Sequence, residues 1–466
     1  MTTETPTAPG NLPPRIVSPP PGPAARALIE RLAAVECPAI TARRDRRRAA
    51  GGDDPIVWAE ATGSNVTDVD GNRYVDLAGG FAVAAIGHRH PEVVAAAHAQ
   101  LDRLIHTMGD LFPAAEKVHL AETLARLAPG RLSMSILGLS GSDAVEAAIK
   151  TALIATGRSR ILAFHGGYHG MSLGALGVSG YRASFRQPFA SMTPRPELRL
   201  PYPDCADCPL GHQYPDCAFA CLDQIARILD DPTFGGEDVA ALIAEPIQGR
   251  GGDIVPPDGW LTRLRDITRE RGILLILDEI YTGFGRTGRL FACQHEGVEP
   301  DLLCVGKAMG GGAPISACIG TPEVMQAWGR STGEAIHTST FLGHPLSAAM
   351  ASAALSVIVD HDLPARAERV GQRFLEQLRK TLHGHPAVRD VRGRGLMIGI
   401  VLQDSHGRAA PGSAVLAMHR LLGQGWIISP GGRDGDVISL APPMTIDEDL
   451  LDAFVEQLPG VLAPCP

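Results

Sequence analysis

Lys307 sits in LLCVGKAMGGGAP, residues 302–314, where an apolar run delivers one lysine and then collapses into glycine. Desolvating an ammonium is costly. A lysine placed here either reaches water or is not an ordinary ammonium. Asp278 poses the same question with the opposite sign, because it ends the apolar run in ILLILDEIY. Taken alone, Asp278 reads as a helix cap or a salt-bridged core acid. Taken with Lys307 in the next strand-like run, it makes either an ion pair or the two poles of a cofactor site. Other candidates follow other apolar runs. Gly141 and Ser142 come after SMSILGLS and open a helix, Tyr168 and His169 come after RILAFHG, and Glu245 comes after VAALIA.

Pyridoxal phosphate needs such a set. Its aldehyde forms an imine with a lysine, which removes the desolvation problem at Lys307. Its pyridine nitrogen needs a carboxylate to stay protonated, so that the ring accepts electrons. Its phosphate needs backbone donors at a helix N-terminus, which Gly141-Ser142 supplies. Its ring needs a flat partner, and Tyr168 lies in the tight turn GGYHG. The glycines behind Lys307 let backbone pack close to the lysine and cofactor.

The elements that must position these residues read as α/β. Short apolar runs alternate with helical stretches such as DAVEAAIKTALIATG and LTRLRDITRERG. Strands buried on both faces imply a mostly parallel sheet with helices on each side. Ligands bind at the carboxyl ends of such strands, and five strand ends converge on the candidates above. From about Pro345 the pattern changes to long helices and antiparallel-looking runs, VRDVRGRGLMIGIVL and DVISLAPP. The expected organisation is a Pro-rich disordered segment over 1–24 and a segment over 25–77 that packs with the small domain. A large domain follows over 78–344, and a smaller α+β domain over 345–466.

The bulk properties exclude several classes. The chain has 466 residues and a net charge of −9, which argues against nucleic-acid binding through phosphate contacts. The basic cluster ARRDRRRAA at 42–50 reads as a solvated face. No apolar run approaches the ~20 residues of a membrane span. The N-terminus lacks the basic-then-apolar order of a secretory signal, so the expected compartment is the cytoplasm. Nine cysteines, an odd number, read as reduced thiols. Cys205, Cys208, Cys217 and Cys221 lie in CADCPLGHQYPDCAFAC, loosely like a zinc knuckle. The loop between the pairs is short and Pro-rich, and no metal is assigned.

LSGSDAVEAAIK, FHGGYHG, EPIQGRGG, LDEIYTGFGRTG and VGKAMGGG resemble, in order and spacing, the class III aminotransferases, which are fold type I pyridoxal-phosphate enzymes. The resemblance runs from about Trp58 to Pro443. It implies a large, mostly parallel, seven-stranded sheet domain with a smaller α+β domain. Lys307 is then the imine-forming residue and proton shuttle, and Asp278 the partner of the pyridine nitrogen. Ile280 and Tyr168 would flank the ring, and Gly141 and Ser142 would hold the phosphate. His169, Glu245 and Tyr281 would lie near the cofactor. Thr340 in HTSTF would reach the phosphate of a neighbouring subunit, implying a homodimer with sites at the interface. Arg392 in DVRGRG matches an arginine that grips the substrate α-carboxylate.

The departures from that pattern bear on substrate. Where 4-aminobutyrate enzymes of the class carry a carboxylate-binding arginine after HG, this chain has Met171. Where they carry a glutamate after QG, it has Arg250. Phe81 in AGGFAV falls where relatives line the pocket from the partner subunit. FHGGYHGMSLGAL and LPYPDCADCPLG look most like the diaminobutyrate aminotransferases, which makes the cysteine cluster a loop insertion. The expected reaction is amino transfer from an ω-amine, 2,4-diaminobutyrate leading, to a 2-keto acid such as 2-oxoglutarate or pyruvate. A racemase or epimerase of the same fold is the alternative.

Overall fold

The computed structural model describes residues 10–38, 40, 55–193 and 199–462. The basic cluster at 42–50 lies outside them. The chain divides into two compact units, one of residues 91–365 and one that combines the residues up to 90 with those from 366 onward. The N-terminal part supplies β1 (Trp58–Thr62), β2 (Asn65–Asp68) and β3 (Arg73–Asp76). The larger unit supplies β4 (Met134–Gly138), β5 (Arg160–Phe164), β6 (Arg199–Leu200), β7 (Val239–Ala244), β8 (Leu274–Asp278), β9 (Leu302–Val305) and β10 (Ser316–Gly320). The C-terminal part supplies β11 (Val388–Arg394), β12 (Met397–Leu402), β13 (Trp426–Ile427), β14 (Ser429–Gly431) and β15 (Val437–Leu440).

In the larger unit seven strands form one sheet in the order β4-β10-β9-β8-β7-β5-β6. Strands β5 to β9 run parallel, and β10 alone is antiparallel to its neighbours β4 and β9. Every residue of β7, β9 and β10 is buried, which is why these segments read as unbroken apolar runs. The helix Gly141–Thr156 covers the sheet with a small-residue face, including Ala144, Ala147, Ala148 and Ala152. It starts at a capping box, in which Ser140 Oγ accepts from Asp143 N and Asp143 accepts from Ser140 N at 3.0 Å. The fold class expected from sequence is therefore the one observed.

Two expectations are corrected. Residues 10–22 are not disordered, although the first nine residues lie outside the description. Asn72 Oδ1 accepts from Val17 N at 2.8 Å and Ser18 N at 3.0 Å, and Arg15 exchanges backbone hydrogen bonds with Arg73. The prolines remove backbone donors, so side-chain amides in the β2–β3 hairpin hold the segment instead. Asp70 then accepts from Ala24 N and Ala25 N, the first turn of the helix Pro23–Val35. Second, the helix Pro345–Asp360 belongs to the larger unit, packed on the helices Pro91–Leu101 and Ala115–Leu127, while residues 78–90 fall in the smaller one. Behind Lys307, a Cβ on Gly311, at φ +57°, would meet Ala354 Cβ at 2.9 Å and Val93 Cγ1 at 3.2 Å, so this glycine gives way to the helices packed there.

In the smaller unit β1, β2 and β3 are antiparallel and β13 adds in parallel to β3. Strands β11, β12, β15 and β14 make a second, antiparallel sheet. Among the described residues no single helix is long and apolar enough to cross a membrane.

Replacing Asn72 with Ala removes two backbone acceptor contacts and the bond from its Nδ2 to Asp68. The expected loss is about 1–3 kcal/mol, read by chemical denaturation, with faster proteolysis between residues 10 and 22. Unchanged proteolysis would show that other contacts hold the segment.

Candidate active site

The carboxyl edge of the large sheet gathers the residues singled out above. Asp278 ends β8 and Lys307 follows β9, its direct parallel neighbour. Asp278 is 4% exposed, and its Oδ2 lies 2.8 Å from His169 Nδ1. Its Oδ1 accepts from Ile280 N at 3.1 Å. His169 is held by its own amide, which donates to Ser179 Oγ at 3.0 Å. Burial alone would lower the His169 pKa, but the bond to Asp278 and the charges of Asp278 and Glu245 outweigh it and raise it. His169 Nε2 is buried with no hydrogen-bond partner among the described residues.

Glu245 follows β7. Its two oxygens accept from Tyr168 N at 2.9 Å and Gly249 N at 3.0 Å, tying the turn after β5 to the loop after β7. Desolvation raises its pKa to about 7, against the opposing charge of His169. Lys307 is half-buried and adopts φ +42°, a left-handed conformation that costs a non-glycine residue on the order of 1 kcal/mol. Desolvation lowers its pKa, opposed by Asp278 and Glu245 and assisted by Arg250. Its Nζ lies 4.6 Å from the centre of the Tyr281 ring.

At the neighbouring strand end, the first two amides of the helix Gly141–Thr156 have no carbonyl four residues before them inside the helix. They belong to Gly141 and Ser142. Gly141 lacks a Cβ where one would fall 2.7 Å from Ile280 Cδ1, so Ile280 packs directly on the helix start. Ser142 Oγ accepts from Met171 N at 3.1 Å. Met171 is 48% exposed. Arg250 stacks its guanidinium 5.2 Å from the Tyr168 ring centre and 5.3 Å from that of Tyr181.

Twelve of the sequence-derived site residues therefore lie in the larger unit, eleven of them at or beside the carboxyl edge of its sheet. Thr340 is exposed on the segment 329–341. Phe81 and Arg392 belong to the smaller unit, Phe81 61% exposed at φ +62° and Arg392 opposite Gly399 in the β11–β12 ladder. Sequence reasoning missed Tyr181 and Ser179. Neither follows a strand, and only the fold brings Tyr181 to 6.2 Å from Tyr168, ring centre to ring centre. The thiols of Cys205, Cys208, Cys217 and Cys221 are free and line one small cavity. Among the described residues no group of three or more His, Cys, Asp or Glu is arranged to hold a metal ion.

Comparison with known proteins places the chain in a family. The family model for class-III aminotransferases matches residues 48–462. The chain is a class-III aminotransferase. It is 38% identical over 412 residues to the acetylornithine aminotransferase of Mycobacterium tuberculosis, covering 88% of this chain and 92% of the relative. The acetylornithine aminotransferase of Methanothermobacter thermautotrophicus is also 38% identical, over 409 residues, with 88% and 94% covered. Among solved structures, an amine transaminase from an uncultivated Pseudomonas species, in its PLP-bound form, superposes with a TM-score of 0.82 at 33% identity, covering 89% of this chain and 96% of that one. An (S)-enantioselective ω-transaminase from Thermomicrobium roseum gives 0.83 at 29%, covering 94% and 98%.

Class-III aminotransferases depend on pyridoxal phosphate, and the residues of this aminotransferase fit that group. The edge offers a desolvated lysine amine, a buried carboxylate braced by a histidine and two helix-start amides outside the helix ladder. The buried, unpartnered Nε2 of His169 adds one more polar atom awaiting a partner.

The Glu245 shift has a consequence for stability. Its folded pKa of about 7 lies above the ordinary 4.5, so between these values the folded chain keeps a proton that the unfolded chain has lost. Unfolding free energy therefore falls as pH rises from about 4.5 to about 7, by on the order of 3 kcal/mol in the cofactor-free enzyme. Glu245→Gln flattens that slope. An unchanged slope in denaturant titrations from pH 4.5 to 8 would contradict the assignment.

Proposed function

We propose that this aminotransferase takes the terminal amine of an amino acid carrying a second amino group, of the 2,4-diaminobutyrate or ornithine type, and passes it to a 2-keto acid such as 2-oxoglutarate or pyruvate. The observation that carries the catalytic part is the lysine of lowered pKa beside the Asp278–His169 pair. The donor class rests on the motif likeness to diaminobutyrate enzymes and on relatives named for acetylornithine, whose side chains also end in an amine. Met171 supports it too, since a neutral side chain replaces the arginine that a 4-aminobutyrate enzyme would use.

Pyridoxal phosphate, when bound, supplies an electron sink for the charge left on the amine-bearing carbon. The chain supplies the rest. Lys307, its pKa lowered by desolvation, would take the proton from that carbon at Nζ and pass it on to the cofactor within the same half-reaction, and would run the transfer in reverse on the return half. Asp278, its Oδ2 fixed by His169, would pair with the pyridine nitrogen. Glu245 steadies the turn that carries Tyr168. By the family likeness, Ile280 and Tyr168 would flank the cofactor ring, Tyr281 would lie near the cofactor, and the amides of Gly141 and Ser142 would hold its phosphate. The family likeness would give Arg392 the substrate α-carboxylate, and would have Phe81 line the pocket of a partner subunit.

The enzyme is a homodimer in this reading, with Thr340 serving the partner's phosphate. What supports it is an apolar exposed face on the larger unit. Ile105, Met108, Leu111, Phe112, Ile336 and Phe341 are each 48–77% exposed, and Thr338 Oγ1 bonds Asp110 at 2.8 Å to tie the two segments that carry them. Light scattering at the mass of one chain would remove this part.

The test is a single-turnover half-reaction on cofactor-loaded enzyme. 2,4-Diaminobutyrate, ornithine, N-acetylornithine, 4-aminobutyrate and an aryl amine are added separately while the cofactor absorbance is followed. Diamino acids are expected to convert the cofactor and 2-oxoglutarate or pyruvate to restore it. Fastest conversion by 4-aminobutyrate or the aryl amine would overturn the donor. Lys307→Ala is expected to lose more than about 1,000-fold in turnover while retaining bound cofactor, and near-normal turnover would contradict the role of Lys307.

A further inference from the structure

The loop from Gln248 to Ile254 is rigidly built. Gln248 and Ile254 exchange backbone hydrogen bonds, at 3.1 and 2.9 Å, and Gly252 N and Asp253 N both donate to Gly249 O. Gln248 Nε2 donates to His165 O at 2.8 Å, and Glu245 accepts Gly249 N at 3.0 Å. Tyr202 Oη reaches the carbonyls of Glu245 and Pro246 at 2.9 and 3.1 Å. Arg250 stands in this fixed loop.

Its side chain is positioned with equal care and left chemically incomplete. The guanidinium lies 5.2 and 5.3 Å from the ring centres of Tyr168 and Tyr181. Those rings meet edge to face at 89°, and Tyr181 is 7% exposed. Cation–π contact holds a guanidinium but leaves its N–H donors free. Arg250 has no hydrogen bond or ion pair to any described residue, and its Nε is buried without a partner. A planar donor fork held still, desolvated on one edge and lacking an anion is suited to a carboxylate. Its charge also acts on Lys307, helping to lower the pKa of that amine.

We infer that Arg250, clamped against Tyr168 and Tyr181, is a receptor for a substrate carboxylate. Amines and keto acids that carry a carboxylate away from the reacting carbon are then favoured over plain alkyl amines. This deepens the donor reading above and rests on it. Arg250 is a specificity residue in this account. It binds the anion, and the proton transfers remain with Lys307. The aromatic clamp lowers the cost of binding because less rotamer freedom is lost when the carboxylate arrives.

The experiment compares 5-aminopentanoate with pentylamine, which differ only in the distal carboxylate, using holoenzyme and its Arg250→Ala and Arg250→Lys variants. Arg250→Ala is expected to raise KM for 5-aminopentanoate by about tenfold or more, chiefly without loss of kcat. The effect on pentylamine is expected to be at least about tenfold smaller, and Arg250→Lys to restore part of the loss. Calorimetry with glutarate, an unreactive dicarboxylate, gives a readout free of turnover, and its Kd should weaken about tenfold in Arg250→Ala. Tyr181→Leu, which removes one side of the clamp, should weaken glutarate while Tyr181→Phe should not. Equal losses for both amines would show that Arg250 only shapes the site and would overturn the inference, as would no loss with either. If Arg392→Ala produces the split and Arg250→Ala does not, the carboxylate belongs to Arg392, and the inference falls while transamination stands. If the unaltered enzyme converts no terminal amine, the donor reading falls, and the glutarate titration still decides the role of Arg250.

Discussion

The hydrogen bond between Asp278 and His169 is the constraint on which the rest of the site depends. A carboxylate 4% exposed is tolerable only if its charge is answered. His169 answers it from another strand end, 109 residues away in sequence. That pairing requires the parallel sheet, because only parallel neighbours deliver their carboxyl ends to one edge. It requires the turn after β5 to be braced, which Glu245 and Ser179 do through backbone amides. It also sets the field in which Lys307 sits. Desolvation pushes the lysine toward its neutral form, and Asp278 and Glu245 pull it back. The net result is a lysine pKa lowered from its ordinary value.

Much of this was legible in the sequence. The apolar runs of β7, β8 and β9 announce strands buried on both faces, and Lys307 and Asp278 stand out because charged groups at the ends of such runs need a reason. The helix start at Gly141 was legible from the switch between SMSILGLS and the helical run after it, whereas the Ser140–Asp143 capping box that fixes it emerged only in the structure. Strand β10 was not recognised. Its sequence, SACIG, is short and small-sided, and it earns its place by pairing on both edges.

What was missed depends on long-range partners. The N-terminal prolines look like a disordered tail, but Asn65, Asp70, Asn72 and Arg73 in the folded hairpin supply acceptors and donors that order residues 10–25. The helix Pro345–Asp360 looks like the start of a new domain because it is apolar all round, yet that is the signature of a helix buried between others. The close approach of Gly311 to Ala354 has the same origin. Arg250 was visible as a departure from its family, but its stacking on Tyr168 and Tyr181 was not, since Tyr181 lies 69 residues away in sequence.

The central claim is that Lys307, set beside the Asp278–His169 pair, is the residue to which the cofactor attaches. The most direct measurement reduces the holoenzyme with borohydride, digests it and locates the pyridoxyl mass by tandem mass spectrometry. The account predicts the modification on the peptide that contains Lys307, and at that lysine alone. Labelling of another lysine, with Lys307 recovered unmodified, would contradict it.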